Sequence, residues 1–145
     1  MFPTSERSSL QPHVNQYADR RANVVAIVSP DPLLAALIGA AVELVGFRAA
    51  FPRTDESPLS ALRRLRAAYV LVDCKDPGAH DETLLGRGLM RGARLFLFGT
   101  AERLAPFRSR AARYQAELIE FPRDIAALHE ILSRRPQPDR EPQPG

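Results

Sequence analysis

Cysteine is almost missing from this 145-residue chain: Cys74 stands alone, so no disulfide can form within it, as expected of a reducing compartment. Lysine is equally scarce, since Lys75 is the only one among twenty basic residues and the rest are arginine. No apolar run approaches the length of a bilayer span, and Met1-Phe-Pro-Thr-Ser-Glu-Arg7 has neither the basic start nor the apolar stretch of a signal peptide. The expectation is a cytoplasmic protein without a membrane partner. A net charge of +3 with no basic run interleaved with aromatics also argues against nucleic acid as a partner.

What is present is the composition of an ordinary globular domain, with 45% hydrophobic and 26% charged residues. Residues 1–21 are polar and aperiodic, which predicts a disordered arm. From Pro136 onward proline recurs at nearly every other position, which predicts an extended, disordered tail over 136–145. The globular domain is expected over 22–135.

Inside those bounds strands and helices alternate. Val24 to Val28 reads as a buried strand, and Asp31-Pro32 as a helix cap followed by a first-turn proline. Leu33, Leu37, Ala40, Ala41 and Leu44 recur at helical spacing through that first helix, which Gly46 ends. Phe47 to Phe51 is a second strand, and Ser57-Pro58 starts a second helix. Tyr69-Val-Leu-Val-Asp73 is a third strand that stops abruptly on a carboxylate. A helix from Asp81 to about Arg91, a strand Leu95 to Phe98, a helix from about Glu102 to Tyr114, a strand Glu117 to Phe121 and a last helix capped by Asp124 complete the series. Five strands alternating with five helices predict an α/β fold: a doubly wound, five-stranded parallel sheet with helices on both faces. In such sheets ligands gather at the carboxyl ends of the strands, where Asp73 falls.

Residues 22 to about 135 resemble the receiver domain of bacterial response regulators, the CheY-like superfamily. Asp73 ends the third strand with Pro77 four residues on, as the phosphoacceptor aspartate and its loop proline do in that family. Thr100-Ala101 follows the fourth strand in the place of the switch Thr/Ser and the small residue after it. Phe121-Pro122 ends the fifth strand where the family has Lys-Pro. The departures are as informative: the two acids that normally follow the first strand and help bind Mg²⁺ read Ser29 and Pro30, the lysine reads Phe121, and the aromatic switch position reads Leu118. The resemblance is therefore to a degenerate, atypical member.

It implies Asp73 as the phosphoacceptor candidate, Thr100 as the switch candidate, and Asp31 with Asp73 as the only metal ligands. It also implies a partner face built from Arg103, Phe107, Arg110 and Tyr114 with Glu120 and Arg123, of which Phe107 and Tyr114 also fit a core role. Phosphoryl transfer onto a carboxylate needs positive charge between two anions, supplied by a metal and a fixed cation. With Ser29, Pro30 and Phe121 in place, Asp73 is left nearly alone. Lys75 could swing toward it, or be an ordinary solvated loop residue paired weakly with Asp76.

Other constellations carry less. His80, Asp81 and Glu82 beside Asp76 lack a second His at helical spacing for a metal site. Cys74 should point away from the side that Asp73 faces, as a buried thiol. Gly86 to Gly92 precedes a strand, whereas a dinucleotide loop must follow one. The leading expectation is a stand-alone degenerate receiver-like signalling domain, not an enzyme, that acts by protein contact with phosphorylation impaired or absent. No cofactor is then expected. One alternative is a working response regulator phosphorylated on Asp73 by a histidine kinase, with Mg²⁺. A second is a small flavodoxin-like domain that binds a nucleotide or other anion. The expected partner is a protein, a histidine kinase or another signalling protein, and a homodimer is compatible with the chain.

Overall fold

The structure, a computed structural model, describes residues 23–134; the expected N-terminal arm and the proline-rich tail lie outside the described residues. Five parallel strands form one sheet in the order β2-β1-β3-β4-β5. They are β1 (Val24–Val28), β2 (Arg48–Ala50), β3 (Tyr69–Asp73), β4 (Arg94–Gly99) and β5 (Glu117–Glu120). Parallel neighbours require crossovers, and these are α1 (Pro32–Leu44), α2 (Pro58–Leu65), α3 (Glu82–Met90) and the pair α4 (Ala101–Leu104) and α5 (Arg108–Arg113). The helix α6 (Leu128–Ser133) follows β5. The predicted five-stranded, doubly wound architecture is the observed one.

Helix starts follow their local chemistry. Asp31 accepts the N–H groups of Leu33 and Leu34 at 3.0 and 3.2 Å, and Pro32 occupies the first turn, where a missing donor costs nothing. Ser57 and Pro58 repeat the device at α2. Gly46, at φ 97°, turns the chain out of α1 in a conformation that side-chain-bearing residues resist.

The alternation of strand residues divides the core in two. Val70 and Val72 point to one side, with Leu62 of α2, Leu84 and Leu85 of α3, Leu104 of α4 and Ala111 of α5. Leu71, Phe96 and Ile119 point to the other, with Ala35, Ile38 and Val42 of α1 and Leu128 and Leu132 of α6. Cys74 lies with Val72, on the opposite side from the Leu71 and Asp73 parity, as strand geometry requires.

Three local expectations are corrected. The single helix expected from about Glu102 to Tyr114 is two helices separated by a 3₁₀ turn, Ala105–Phe107. Pro106 lies inside that turn, and a proline removes an interior N–H and crowds the preceding turn. Asp124 does not cap a helix: it sits in a 3₁₀ turn, Arg123–Ala127, and its carboxylate turns back to accept the Glu120 N–H at 2.9 Å. On α1 the stripe of Leu33, Leu37, Ala40 and Leu44 is not the buried one, since Leu33, Leu37 and Leu44 are 73, 61 and 86% exposed. Ala35, Ile38, Gly39 and Val42 face the sheet instead. The inner stripe has no leucine, and a methyl at Gly39 would come within 2.7 Å of the Phe51 ring, so the sheet accepts only the smaller side of this helix.

Candidate functional site

The strand order reverses between β1 and β3: from β1 the chain crosses to β2 on one side, and from β3 to β4 on the other. The crevice at the carboxyl ends of these two strands is the place where open α/β sheets hold their chemistry. The register pairs Val28 with Val72, so the next residues, Ser29 and Asp73, emerge level with each other.

Asp73 is completely buried, and a buried carboxylate without partners costs several kcal/mol. It has partners on both oxygens. The Ser29 hydroxyl donates to Oδ2 at 2.8 Å, and the backbone N–H of Lys75 donates to Oδ1 at 2.9 Å. Ser29 is fixed in turn, because its oxygen accepts the Asp31 N–H at 3.1 Å. Sequence reasoning treated Ser29 only as a lost acid. In the fold it is the group that holds the remaining one, and its position level with the end of β3 is the signal that identifies it.

The other expected site residues are spread around this pair and engaged elsewhere. Asp31 lies nearby, but its carboxylate is committed to the first turn of α1. Thr100 caps α4, its hydroxyl oxygen accepting the Arg103 N–H at 3.4 Å. Lys75 is exposed, and among the described residues no carboxylate lies within ion-pair distance of its ammonium. Asp76 instead accepts the Gly78 N–H at 2.7 Å and starts the turn Pro77–His80. Phe121 is half-buried, its ring 5.8 Å from Phe98, and its bond to Pro122 is cis. Leu118 packs half-buried against the first core cluster. Burial pushes the Cys74 thiol up, and the neighbouring Asp73 carboxylate adds to that, so the group is a protonated core thiol and not a nucleophile.

A divalent cation of the Mg²⁺ type asks for a set of oxygen ligands including one or two free carboxylates. Here Asp73 accepts one hydrogen bond on each oxygen and Asp31 caps a helix. Among the described residues no group of three or more His, Cys, Asp or Glu could hold a metal. Asp31 and Asp73 are the two carboxylates expected at this crevice, and both are engaged within the fold.

On the expected partner face, Arg103 is exposed, while Phe107 is only 6% exposed and packs in the core with its ring 5.0 Å from His80. Arg110 lies 3.9 Å from Glu82, Tyr114 is half-buried, and Arg123 pairs with Glu120 at 3.2 Å. Sequence reasoning missed an apolar groove nearby. A groove of about 600 Å³ runs from Asp73, Lys75 and Thr100 along α1, walled by Leu34, Leu37, Ala41 and Leu44 on one side and by Phe121 and Ile125 on the other.

No family model matches the sequence, and no curated protein matches it. Solved structures do match in shape. The receiver domain of a Pseudomonas aeruginosa sensor histidine kinase, described with a magnesium ion coordinated in its active-site cleft, superimposes with a TM-score of 0.62 at 21% identity, covering 78% of this chain and 96% of that one. The chemotaxis protein CheY4 of Vibrio cholerae gives 0.61 at 12% identity, over 78% of this chain and 98% of that one. A response regulator receiver protein from Burkholderia phymatum gives 0.60 at 19% identity, over 77 and 96%. The chain has the CheY-like receiver fold.

Proposed function

We propose that this chain is a degenerate receiver-like signalling domain that acts by contact with another protein and not by phosphoryl chemistry. The observation that carries the reading is the state of Asp73: fully buried, with both oxygens occupied by the Ser29 hydroxyl and the Lys75 N–H. A carboxylate held in this way stabilises the loop after β3, which is a structural task. To attack a phosphoryl group it would have to meet a second anion without the paired acids and the lysine that the receiver resemblance would supply, since Ser29, Pro30 and Phe121 stand in their places. The place of a conserved lysine is taken by Phe121, which packs on Phe98.

The receiver fold supports a role in signalling, with a protein partner such as a histidine kinase or another signalling protein, and no enzymatic step. No helix among the described residues is long and apolar enough to cross a membrane, in keeping with a cytoplasmic role. The test is to incubate the purified protein with acetyl phosphate and Mg²⁺ and to measure its intact mass. The expected mass is unchanged. A stable phosphoryl adduct that Asp73→Asn abolishes would overturn the proposal and establish a working phosphoacceptor.

A further inference from the structure

At the amino ends of β3 and β4, the opposite edge of the sheet from Asp73, a small hollow lies between the ends of α2 and α3, and we infer that it receives an aliphatic side chain from an acidic segment of a partner protein. The inference rests on the proposed role in protein contact. It is separate from the chemistry of Asp73, so the acetyl phosphate experiment and the one below fail independently.

The hollow is about 230 Å³, with Leu62, Val70, Ala67 and Ala93 in its walls and the exposed Arg66 and Arg91 at its mouth. Pockets for whole small ligands begin at roughly 300 Å³, so this one admits a single apolar side chain. Arg63 lies three residues before Arg66 and Arg87 four before Arg91, which places each pair on one side of its helix. Among the described residues none of these four has a carboxylate within ion-pair distance. Arginines at helix C-termini ordinarily offset the helix dipole, but two helix ends carry only about one negative charge between them against four guanidiniums. Arg66 is also held at φ 50°, the left-handed conformation that glycine adopts most easily at a helix end. What an arginine adds over glycine there is the cation beside the hollow.

Charge and shape together select the occupant. Residues 1–22 carry Glu6 and Asp19 against Arg7, Arg20 and Arg21, and residues 135–145 carry Asp139 and Glu141 against Arg135 and Arg140, so neither brings a negative excess. A second copy offers none either. Asp55, Glu102 and Glu130, the carboxylates without an ion pair or a hydrogen bond among the described residues, fall after β2, on α4 and on α6. Nucleic acid would bring phosphates to the arginines, but among the described residues no aromatic ring lines the hollow to stack a base, and a sugar–phosphate backbone has nothing apolar to place in it. An acidic peptide with an aliphatic side chain meets both the arginines and the apolar walls.

Fluorescence anisotropy of the full chain with a labelled peptide, Glu-Asp-Leu-Glu-Asp, tests this. Saturable binding is expected below about 1 mM. Replacing the peptide leucine by serine should weaken it at least about tenfold, and Arg66→Gly combined with Arg91→Gln at least about fivefold. Arg66→Gly should at the same time raise the urea midpoint or leave it unchanged, because glycine prefers this backbone, whereas loss of an arginine with a purely structural task would lower it. Arg108→Gln, at an exposed arginine of α5 that also lacks an ion pair among the described residues, should change binding less than about twofold. Absence of binding up to about 1 mM, binding indifferent to the leucine, or an equal loss with Arg108→Gln would overturn the inference and leave the contact role to another surface. A thymidine oligonucleotide that binds more tightly than the peptide would overturn it as well and make the arginines a nucleic-acid surface.

Discussion

Two helical surfaces flank the crevice at the strand ends, and they differ in what they keep from water. Along α1 the leucines point outward, and the only charge is Glu43 at the margin. From Arg103 through α5 to Arg123 the aromatic side chains turn inward and the outside is arginine: Arg110 and Arg113 sit 3.9 and 3.6 Å from Glu82, and Arg123 pairs with Glu120. A doubly wound sheet dictates where the strand ends and their loops lie. It does not dictate the outer side of any helix, because only the inner stripe is needed for the core. The resemblance to receivers therefore places Asp73 well and says little about which surface a partner meets.

The largest effect that could break this contrast is on the second surface. Phe107→Ala removes a side chain buried against His80 and the α5 core, and should lower stability by about 3–5 kcal/mol, whereas Arg110→Ala should cost less than about 0.5 kcal/mol. Urea unfolding followed by circular dichroism measures both. If Phe107→Ala were nearly neutral, its ring would belong to the surface, and the two faces would no longer differ in kind.

Between the two surfaces lies the Ser29–Asp73 pair, and its expected effect is intermediate. Ser29→Ala leaves Oδ2 of a fully buried carboxylate without its donor, which should cost about 1–3 kcal/mol in the same urea experiment. A neutral result would mean that Asp73 does not depend on Ser29, and the structural account of that aspartate would fail with it.

How far these features were readable beforehand follows from where single residues decide and where they do not. The strands were legible because each is a short apolar run, and the caps Asp31 and Ser57 were legible because a cap followed by proline has one local meaning. The division of the helix after β4 is legible at Pro106, which removes an interior N–H. The orientation of α1 could not be read, because the helix is apolar on nearly every side and two stripes of equal hydrophobicity compete; their difference is size, which matters only once Phe51 and the sheet stand opposite. The position of Asp73 was legible from the end of its strand. The role of Ser29 was not, since the bond joins residues 44 apart and depends on the register of β1 with β3.

The smallest expected effect lies off both surfaces, in the segment between β2 and α2, and gives the background against which the larger ones are judged. Glu56 accepts from Arg64 Nε at 2.8 Å and Nη2 at 2.7 Å and from the Arg53 N–H at 2.9 Å. The Arg64 guanidinium first, then the Arg53 N–H, pull its carboxyl down to about 2 from an ordinary 4.5. A lowered value in the folded state means that the pair's contribution is complete above 4.5 and disappears as the pH falls through about 2. Glu56→Gln should therefore lower the urea midpoint slightly at neutral pH, and its deficit relative to the wild type should shrink as the pH falls from about 5 toward 2. Because the pair is at the surface, added salt should reduce that deficit further. A deficit that stays constant across this range would mean that the Glu56 carboxylate is not what joins Arg53 to Arg64, and that the loop after β2 is held by the Arg64 contact with the Phe51 carbonyl alone.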